Sequence, residues 1–187
     1  PIRICTGEVA DSLALDNLLN QNKYLVNYFA ECRHLYLELK TKSAAIENLL
    51  DVDPKGRTVV SFSLNPKAIV SKIELHTSAL TERLSAARRL ISAGYHVAFN
   101  IDPVLYYDGW KQDYIELFDT LKEQFKPGEI AWTHLGLLRY IPGLAGIARQ
   151  RFPGIKIFDQ EFVQGPDRKY RYPKPIRDEI YAFLYEN

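Results

Sequence analysis

Several features that are common in proteins are missing or scarce in this sequence. Its 187 residues include no methionine and only two cysteines, Cys5 and Cys32. Two cysteines do not make a disulfide framework, which favours a reducing, cytoplasmic location. No apolar run approaches the roughly 20 residues that a membrane span requires, and no signal peptide opens the chain, so we expect no membrane association. Because no methionine is present to initiate it, we expect the chain to begin inside a larger protein.

Net charge is also nearly absent, since the formal charge at pH 7 is +1. No global field therefore attracts nucleic acid, and any basic patch must be local. What the sequence does contain is an ordinary globular composition, 47% hydrophobic and 25% charged, in a chain long enough for one sizeable core. No sequence repeat or low-complexity segment is present.

The stretch from Arg57 to Pro66 predicts the central strand of the fold. It is an apolar, β-branched run that suits a parallel strand covered on both faces, and Pro66 ends it. Ser61, Ser63 and Asn65 alternate along this run, so their side chains point to one face. Ligands of α/β folds bind at the carboxyl ends of such strands, although Ser and Asn side chains can also simply hydrogen-bond the following turn.

Four or five strand–helix units follow one another along the chain. Strands are predicted at residues 2–5, 34–39, 57–65, 95–101 and 130–137. Helices are predicted at residues 11–32, 43–50, 68–73, 77–94 and 110–125. Parallel strands with crossover helices gather their polar ends at one rim, so the sequence predicts an α/β fold, a partial β/α barrel. Asp102-Pro103 ends the fourth strand in this interpretation, which makes Asp102 and the nearby Tyr106 candidate substrate contacts at the rim.

The last fifty residues break this alternation. A short helix is predicted at residues 142–151, a hairpin at 155–163 and 169–172, and a final helix at 175–185. We therefore divide the chain into a partial barrel, residues 1–140, and an extension of helix, β-hairpin and helix, residues 141–187. The hairpin mixes cations with aromatic rings, which suits a phosphate backbone with unstacked bases but also a solvated edge protected by charge. Its residues of this kind are Arg168, Lys169, Tyr170 and Arg171.

Several short motifs point together to one protein family. They are Cys5-Thr-Gly-Glu8 with Asp11-Ser-Leu-Ala-Leu-Asp16, Ser63-Leu-Asn65, Glu74-x-x-Thr77, Glu82-Arg83-Leu-x-Ala-Ala87, Ala93-Gly-Tyr95, Asp102-Pro103 and Gly109-Trp110-x-x-x-Tyr114. In combination they closely resemble the spore photoproduct lyase family of radical S-adenosylmethionine proteins. The resemblance covers the whole chain.

The resemblance implies a partial β/α barrel of the radical S-adenosylmethionine type, together with its chemistry. Members of the family hold S-adenosylmethionine against a 4Fe-4S cluster, which cleaves it to a 5′-deoxyadenosyl radical. In the lyases that radical abstracts hydrogen from a methylene-bridged thymine dimer in DNA, the bridge breaks, and a cysteine returns a hydrogen atom. The expected function is therefore lyase activity in DNA repair, with DNA as a candidate partner.

The resemblance also assigns roles to individual residues. Cys5 matches the hydrogen-donating cysteine, and the hairpin from Arg168 to Arg171 matches the part that inserts at the DNA lesion. The cofactor contacts carried over are Gly7, Glu8, Lys40, Ser63 and Asn65. Taken singly, each candidate also has an ordinary role: Cys5 suits a small apolar position, Glu8 a helix cap and Lys40 a surface charge.

The sequence also departs from the family pattern. The CxxxCxxC pattern that holds the cluster is absent, and no metal-ligand spacing replaces it. We therefore expect the first strand and the cluster loop upstream, an upstream segment or a second chain to complete the barrel, and no activity from this chain alone. Gly7 stands where the lyases have a serine, and its turn looks more like that of the family's broader, non-spore members. The alternative functions are a non-catalytic nucleic-acid-binding module that uses the hairpin, and an unrelated β/α-barrel enzyme.

Overall fold

Five parallel strands form the main sheet of the computed structural model, which describes residues 1–8 and 10–186. In pairing order, which is also chain order, they are β1 (Ile2–Thr6), β2 (Leu35–Thr41), β3 (Thr58–Ser63), β4 (His96–Val104) and β5 (Ile130–Leu137). The helices of this region are α1 (Asp16–Leu19), α2 (Gln21–Ala30), α3 (Glu47–Leu50), α4 (Lys67–Lys72), α5 (Leu80–Ser92) and α6 (Trp110–Gln124). This parallel order places the carboxyl ends of all five strands at one rim.

The sheet is curled rather than flat. Strands β1 and β5 are its two edges, yet the guanidinium of Arg3 in β1 lies 4.7 Å from the ring centroid of Trp132 in β5. In a flat sheet, strands about 4.8 Å apart would separate these edges by roughly 19 Å. The sheet therefore curls into a half-barrel in which side chains of the two edge strands meet. This confirms the predicted α/β fold and partial β/α barrel.

The two faces of the half-barrel differ in chemistry because side chains alternate along each strand. The convex face packs under the helices through buried apolar residues, among them Leu37, Leu39, Val60, Phe62, Val97, Phe99 and Ile101. The concave face carries polar side chains in matching registers, among them Cys5, Glu38, Lys40, Ser61, Ser63, Asn100 and His134. The apolar face holds the fold together, and the polar face lines the interior and the rim.

The prediction of one helix over residues 11–32 is wrong, because the segment forms α1 and α2 with a break between them. Asn20 adopts a left-handed backbone conformation at the break, with φ of 51°. Oδ1 of Asp16 then accepts hydrogen bonds from the backbone N and from Nδ2 of Asn22, at 3.0 and 2.9 Å. Asp11 caps a turn instead of a helix, since its carboxylate accepts a hydrogen bond of 2.9 Å from the backbone N of Leu13.

Strand β4 is longer than its prediction, because it continues through Asp102 and Pro103 to Val104. The register with β5 shifts between Ile101 and Val104, and Val104 pairs with Leu137 beyond the shift. An irregularity of this kind accommodates a proline that has no N–H to give to the ladder. Asp102 therefore lies inside the strand, near the rim, and does not end it.

The C-terminal region contains a second, small antiparallel sheet. Its strands, in the order β6-β8-β7, are β6 (Arg139–Tyr140), β8 (Tyr170–Arg171) and β7 (Val163–Gln164), and its helices are α7 (Leu144–Arg151) and α8 (Lys174–Glu186). The predicted hairpin exists as β7 and β8, but residues 155–162 are not a strand. Aromatic packing holds this segment instead, since Phe158 lies edge-on against Tyr140 at 5.0 Å and Phe162 stacks on Tyr172 at 5.1 Å.

The division of the chain at residue 140 stays a prediction. Strand β6 ends at Tyr140 and pairs with β8, so the small sheet takes strands from both sides of the proposed boundary. Within the part of the chain that the structure describes, none of the helices has the length and apolar character needed to cross a bilayer. The cytoplasmic location also stays a prediction.

Candidate active site

The carboxyl ends of β1 and β2 bring a thiol and an ion pair together. Sγ of Cys5 lies 3.7 Å from Oε1 of Glu8, and Nζ of Lys40 donates a hydrogen bond of 2.5 Å to the same oxygen. That hydrogen bond and the charge of Lys40 lower the pKa of Glu8. Burial alone would lower the pKa of Lys40, but the hydrogen bond with Glu8 raises it. Both members of the pair are therefore charged at neutral pH.

The Cys5 thiol is a poor acid in this setting. Burial, together with the negative charges of Glu38 and Glu8, raises the pKa of the thiol to about 11, against the opposing charge of Lys40. The thiol therefore keeps its proton at neutral pH. A protonated thiol is a weak nucleophile but has an intact S–H bond to give up.

Gly7 lets the turn after β1 pack directly on the end of β2. Its backbone has φ of 91°, in the left-handed region that favours glycine. A Cβ atom at this position would lie 2.4 Å from the carbonyl oxygen of Lys40 and 2.7 Å from Oγ of Ser12. Gly7 therefore permits this close packing and contributes no side chain to the site.

The two polar residues at the end of β3 have different surroundings. Asn65 is only 1% exposed, its Nδ2 donates to Oε1 of Glu74 at 2.9 Å, and its Oδ1 accepts from the hydroxyl of Tyr114 at 3.0 Å. The carbonyl oxygen of Ser63 accepts a hydrogen bond of 2.7 Å from Arg83, whereas its hydroxyl has no hydrogen-bond partner among the described residues. Ser63 thus has a side chain to offer a ligand, while the Asn65 amide is committed to a buried network.

Asp102 and His134 face each other on β4 and β5. Nε2 of His134 lies 3.7 Å from Oδ2 of Asp102, and both side chains are about half exposed. A Cβ on Gly136 would lie 2.6 Å from Cγ of Asp102, so the glycine leaves room for the carboxylate to lie across β5. His134 also contributes, after Lys40, to the lowered pKa of Glu8. The rims of β1 and β5 therefore face each other across the mouth of the half-barrel.

A cleft of about 300 Å³ opens beside this pair, and we call it the arginine cleft. It is lined by Asp102, His134, Leu135, Gly136, Leu137, Arg139, Arg171, Arg177 and Tyr181. The Nε atoms of Arg171 and Arg177 are buried and have no hydrogen-bond partner within the described part of the chain. Because guanidinium donors bind carboxylates and phosphates well, the arginine cleft suits an anionic, acceptor-rich ligand.

The other predicted substrate residues are spread more widely. Tyr106 lies away from the arginine cleft, with its ring 5.8 Å from that of Trp110, and it lines a separate groove beside α6. The ring of Tyr170 stacks on Tyr140 at 5.5 Å. Arg168 and Lys169 are exposed near the hairpin turn. Of the six predicted substrate residues, the structure brings only Asp102 and Arg171 into one cleft.

Sequence reasoning did not assign His134, Arg139 or Arg177 to the site, although a signal existed for each. His134 and Gly136 are two residues apart on a predicted strand, so period-two alternation puts them on one face. Arg139 lies two residues beyond the end of that strand, where polar residues gather at the rim. Arg177 lies four residues before Tyr181 on a predicted helix, which places both on the same helical face.

Cofactor fit differs between an amino-acid ligand and a metal cluster. The charges of Glu8 and Lys40 match the ammonium and the carboxylate of an amino acid. By contrast, residues 1–8 and 10–186 contain no group of three or more His, Cys, Asp or Glu side chains that could hold a metal ion. The side chains that the structure describes therefore do not fit an iron–sulfur cluster.

A half-barrel with a thiol, an ion pair and an arginine cleft at its rim defines a β/α-barrel protein with a candidate ligand site at the carboxyl ends of its strands. The chain belongs to the spore photoproduct lyase family, whose family model matches residues 2–183. The spore photoproduct lyase of Geobacillus sp. (strain Y412MC61) is 29% identical over 170 residues, 90% of this chain and 48% of that protein. The one of Clostridium acetobutylicum is 26% identical over 185 residues, 96% of this chain and 55% of that protein. The chain thus spans about half the length of these relatives.

Solved structures share the fold. A spore photoproduct lyase double mutant with bound AdoMet and dinucleoside spore photoproduct matches with a TM-score of 0.89 and 24% identity, over 98% of this chain and 56% of that one. A spore photoproduct lyase complexed with dinucleoside spore photoproduct matches with a TM-score of 0.88 and 24% identity, over 98% of this chain and 56% of that one. The match establishes the half-barrel as the fold of this family, and membership of the family excludes an unrelated β/α-barrel enzyme.

Proposed function

We propose that this chain is part of a radical S-adenosylmethionine lyase that acts on a lesion in DNA, a thymine dimer or a related substrate. The observation that carries the proposal is the meeting of Cys5, Glu8 and Lys40 at one end of the half-barrel. A hydrogen-donating thiol and a charged pair for an amino-acid ligand are the two functions that this chemistry needs close together. The family relationship supports the same reaction class.

In this proposal S-adenosylmethionine, when bound, supplies the carbon radical that starts the reaction. Glu8 accepts hydrogen bonds from its ammonium, and Lys40 donates to its carboxylate or to a ribose oxygen. Gly7 lets the turn that leads to Glu8 pack directly on the end of β2, which sets the position of the Glu8 carboxylate. The unpartnered hydroxyl of Ser63 bonds the ribose or the carboxylate, and Asn65 shapes the site through its bonds with Glu74 and Tyr114.

Cys5 acts at the end of the proposed reaction. The raised pKa of the thiol, about 11, keeps the S–H bond intact at neutral pH. A carbon radical on the substrate takes the hydrogen atom, so a C–H bond forms, the S–H bond breaks, and a thiyl radical remains on Cys5. No base is needed in this step, because proton and electron leave the sulfur together.

The arginine cleft and the hairpin hold the nucleic acid in this proposal. The guanidinium side chains of Arg171 and Arg177 line the cleft and donate to phosphate oxygens, and Asp102 and His134 offer polar contacts to the lesion. The exposed cations of the hairpin turn, Arg168 and Lys169, add sequence-independent affinity. The alternative of a binding module without catalysis is not favoured, since the relatives are lyases.

The iron–sulfur cluster of the family is not supplied by this chain. In our proposal its ligands, and the strand that completes the barrel, come from the remainder of the full-length protein or from a second chain. It follows that the chain alone would be inactive. No step above depends on where the cluster lies.

The test is a pair of assays on the full-length protein, reconstituted with iron and sulfide and reduced in the presence of S-adenosylmethionine and a dinucleoside spore photoproduct. We expect 5′-deoxyadenosine and the repaired thymine dinucleoside. Cys5→Ala should still form 5′-deoxyadenosine but lose the repaired product, because only hydrogen return fails. Cys32→Ala is the matched control and should behave as the wild type. Absence of 5′-deoxyadenosine from the reduced wild-type protein would refute the proposal.

A further inference from the structure

A charged cluster lies on the concave face of the half-barrel, below the rim. Glu38 of β2 has a side chain that is only 4% exposed, and its Oε2 lies 3.2 Å from Nε of Arg3 in β1. Its Oε1 accepts a hydrogen bond of 2.7 Å from the hydroxyl of Ser61 in β3. Arg3 in turn lies over the ring of Trp132 in β5. Contacts from β1 and β3 therefore fix the position of this carboxylate, and Trp132 of β5 contacts Arg3 in turn.

This cluster is directly beside the thiol. Cys5 and Glu38 are partners in the register of β1 and β2, so their side chains lie on the same face of neighbouring strands. Lys40 follows Glu38 by two residues on the same face, nearer the rim. Cys5 therefore has Glu38 on one side, and the Glu8–Lys40 pair on the other.

Positive charges in the proposed ligand site favour loss of the proton from the neighbouring thiol. Lys40 contributes one positive charge beside Cys5, and S-adenosylmethionine would add the positive charge of its sulfonium group. Cationic neighbours lower thiol pKa values to roughly 3.5–7.5, and a thiolate has no hydrogen atom to give. A fixed negative charge next to the sulfur opposes that effect, because two anions side by side in a buried site are unfavourable.

We propose that Glu38 is a positioning residue for Cys5: held by Ser61 and Arg3, its carboxylate keeps the neighbouring thiol in the protonated form that can donate a hydrogen atom. This inference rests on the proposed function for the role of the thiol. The charged groups that face Cys5 are Arg3 on its own strand, Glu38 and Lys40 on β2, and Glu8 in the turn. Burial and Glu38 act in one direction on the pKa of the thiol, and Lys40 acts in the other.

The test measures the thiol directly, without activity. In a Cys32→Ser background Cys5 is the single cysteine, and its rate of alkylation by iodoacetamide is followed from about pH 6.5 to about pH 11. Glu38→Gln preserves shape and should move the midpoint of the rate profile to lower pH, so that alkylation at pH 8 accelerates about tenfold. Arg3→Gln removes the counter-charge of Glu38 and should move the midpoint to higher pH, which is observed as slower alkylation at every pH of the range. Glu116→Gln, on the outer helix α6, is the matched control and should move nothing.

If the role of Glu38 were purely structural, the two variants would not move the midpoint of the alkylation profile in opposite directions. The proposal is overturned if Glu38→Gln leaves the profile where it is, or if Arg3→Gln shifts it to lower pH. Should Glu38→Gln fail to fold, as judged by circular dichroism, the Arg3→Gln shift still decides, because the Arg3 side chain is more than half exposed. If the shifts appear but the full-length protein forms no 5′-deoxyadenosine, the proposed function fails and the role of Glu38 toward the thiol stands.

Discussion

Two ion pairs near the carboxyl ends of neighbouring strands have similar lengths and opposite surroundings. Nη2 of Arg83 lies 2.7 Å from Oε2 of Glu74, and the two side chains are 0% and 5% exposed. Nζ of Lys40 lies 2.5 Å from Oε1 of Glu8, with 28% and 67% exposed. Arg83 also donates to the carbonyl oxygens of Ser63 and Ser78 and to Thr77, so the buried pair is held from several sides. The comparison teaches that burial separates a pair that fixes the fold from one that can exchange partners with a ligand.

The largest effect is expected from breaking the buried pair. Arg83→Met keeps much of the side-chain volume but leaves the carboxylate of Glu74 and the carbonyl oxygens of Ser63 and Ser78 without their donor. Removing one partner of a buried ion pair costs about 3–5 kcal/mol. We expect a loss of this size in the free energy of unfolding, measured by urea denaturation.

The matched control for that change is on the same helix. Arg89→Met removes an equally short pair, 2.8 Å to Glu47, in which both side chains are about half exposed. We expect no measurable change, since water replaces the partner of an exposed charge. Equal losses for Arg83→Met and Arg89→Met would show that burial does not distinguish the two kinds of pair.

A smaller effect is expected in the turn that supports the more exposed ion pair, Glu8–Lys40. Gly7→Ala and Gly94→Ala both place a side chain on a left-handed backbone, with φ of 91° and 86°. Only at Gly7 does the new Cβ meet another atom, the carbonyl oxygen of Lys40 at 2.4 Å. The shared backbone strain costs of order 1–3 kcal/mol, and Gly7→Ala should lose more than Gly94→Ala in urea denaturation. Equal losses would mean that the turn can move away from β2.

The central strand shows what a sequence can reveal. The run of Val59, Val60, Phe62 and Leu64 followed by Pro66 marks a buried parallel strand and its end, because each of these signals is local. The family resemblance singled out Cys5 and Lys40 as site residues, and both lie close to a predicted strand end. The sequence did not reveal the break of the first helix at Asn20. Side-chain hydrogen bonds, here those from Asn22 to Asp16, can stabilise a non-helical residue in the middle of a helical pattern.

Pairing between distant segments was not visible in the sequence. In the sequence, Arg83 looks like a solvent-facing charge on an amphipathic helix. Only the fold shows that it forms a buried ion pair with Glu74, nine residues earlier in the chain. Glu38 resembles an exposed residue of an alternating strand, because nothing local shows that the sheet curls and buries its concave face. The curl itself depends on contacts such as that of Arg3 with Trp132, which are 129 positions apart in sequence.

The pH dependence of stability distinguishes the two acids of these pairs. Burial alone would raise the pKa of Glu74, but Lys42 and Arg83 lower it, and its stabilising contribution is therefore present above the ordinary glutamate pKa and lost as pH falls through the lowered one. Wild-type stability should fall between about pH 5 and about pH 3, and Glu74→Gln should flatten that fall. Glu8→Gln should follow the wild type closely, because solvent screens its exposed carboxylate. Urea midpoints measured across this range test the difference, and identical slopes for wild type and Glu74→Gln would contradict it.

The smallest effect on stability, and the one most informative about function, is expected from breaking the Glu8–Lys40 pair. Lys40→Met should change the free energy of unfolding by about 0.5 kcal/mol or less, because water solvates the exposed carboxylate of Glu8 when its partner is removed. The same change should weaken S-adenosylmethionine binding to the full-length protein roughly 10-fold to 100-fold, as one charge-assisted hydrogen bond is lost. Titration calorimetry measures the affinity, with Lys67→Met, an exposed lysine of α4, as the control. A variant that loses stability but binds as the wild type would place Lys40 with Arg83, among the residues that hold the fold.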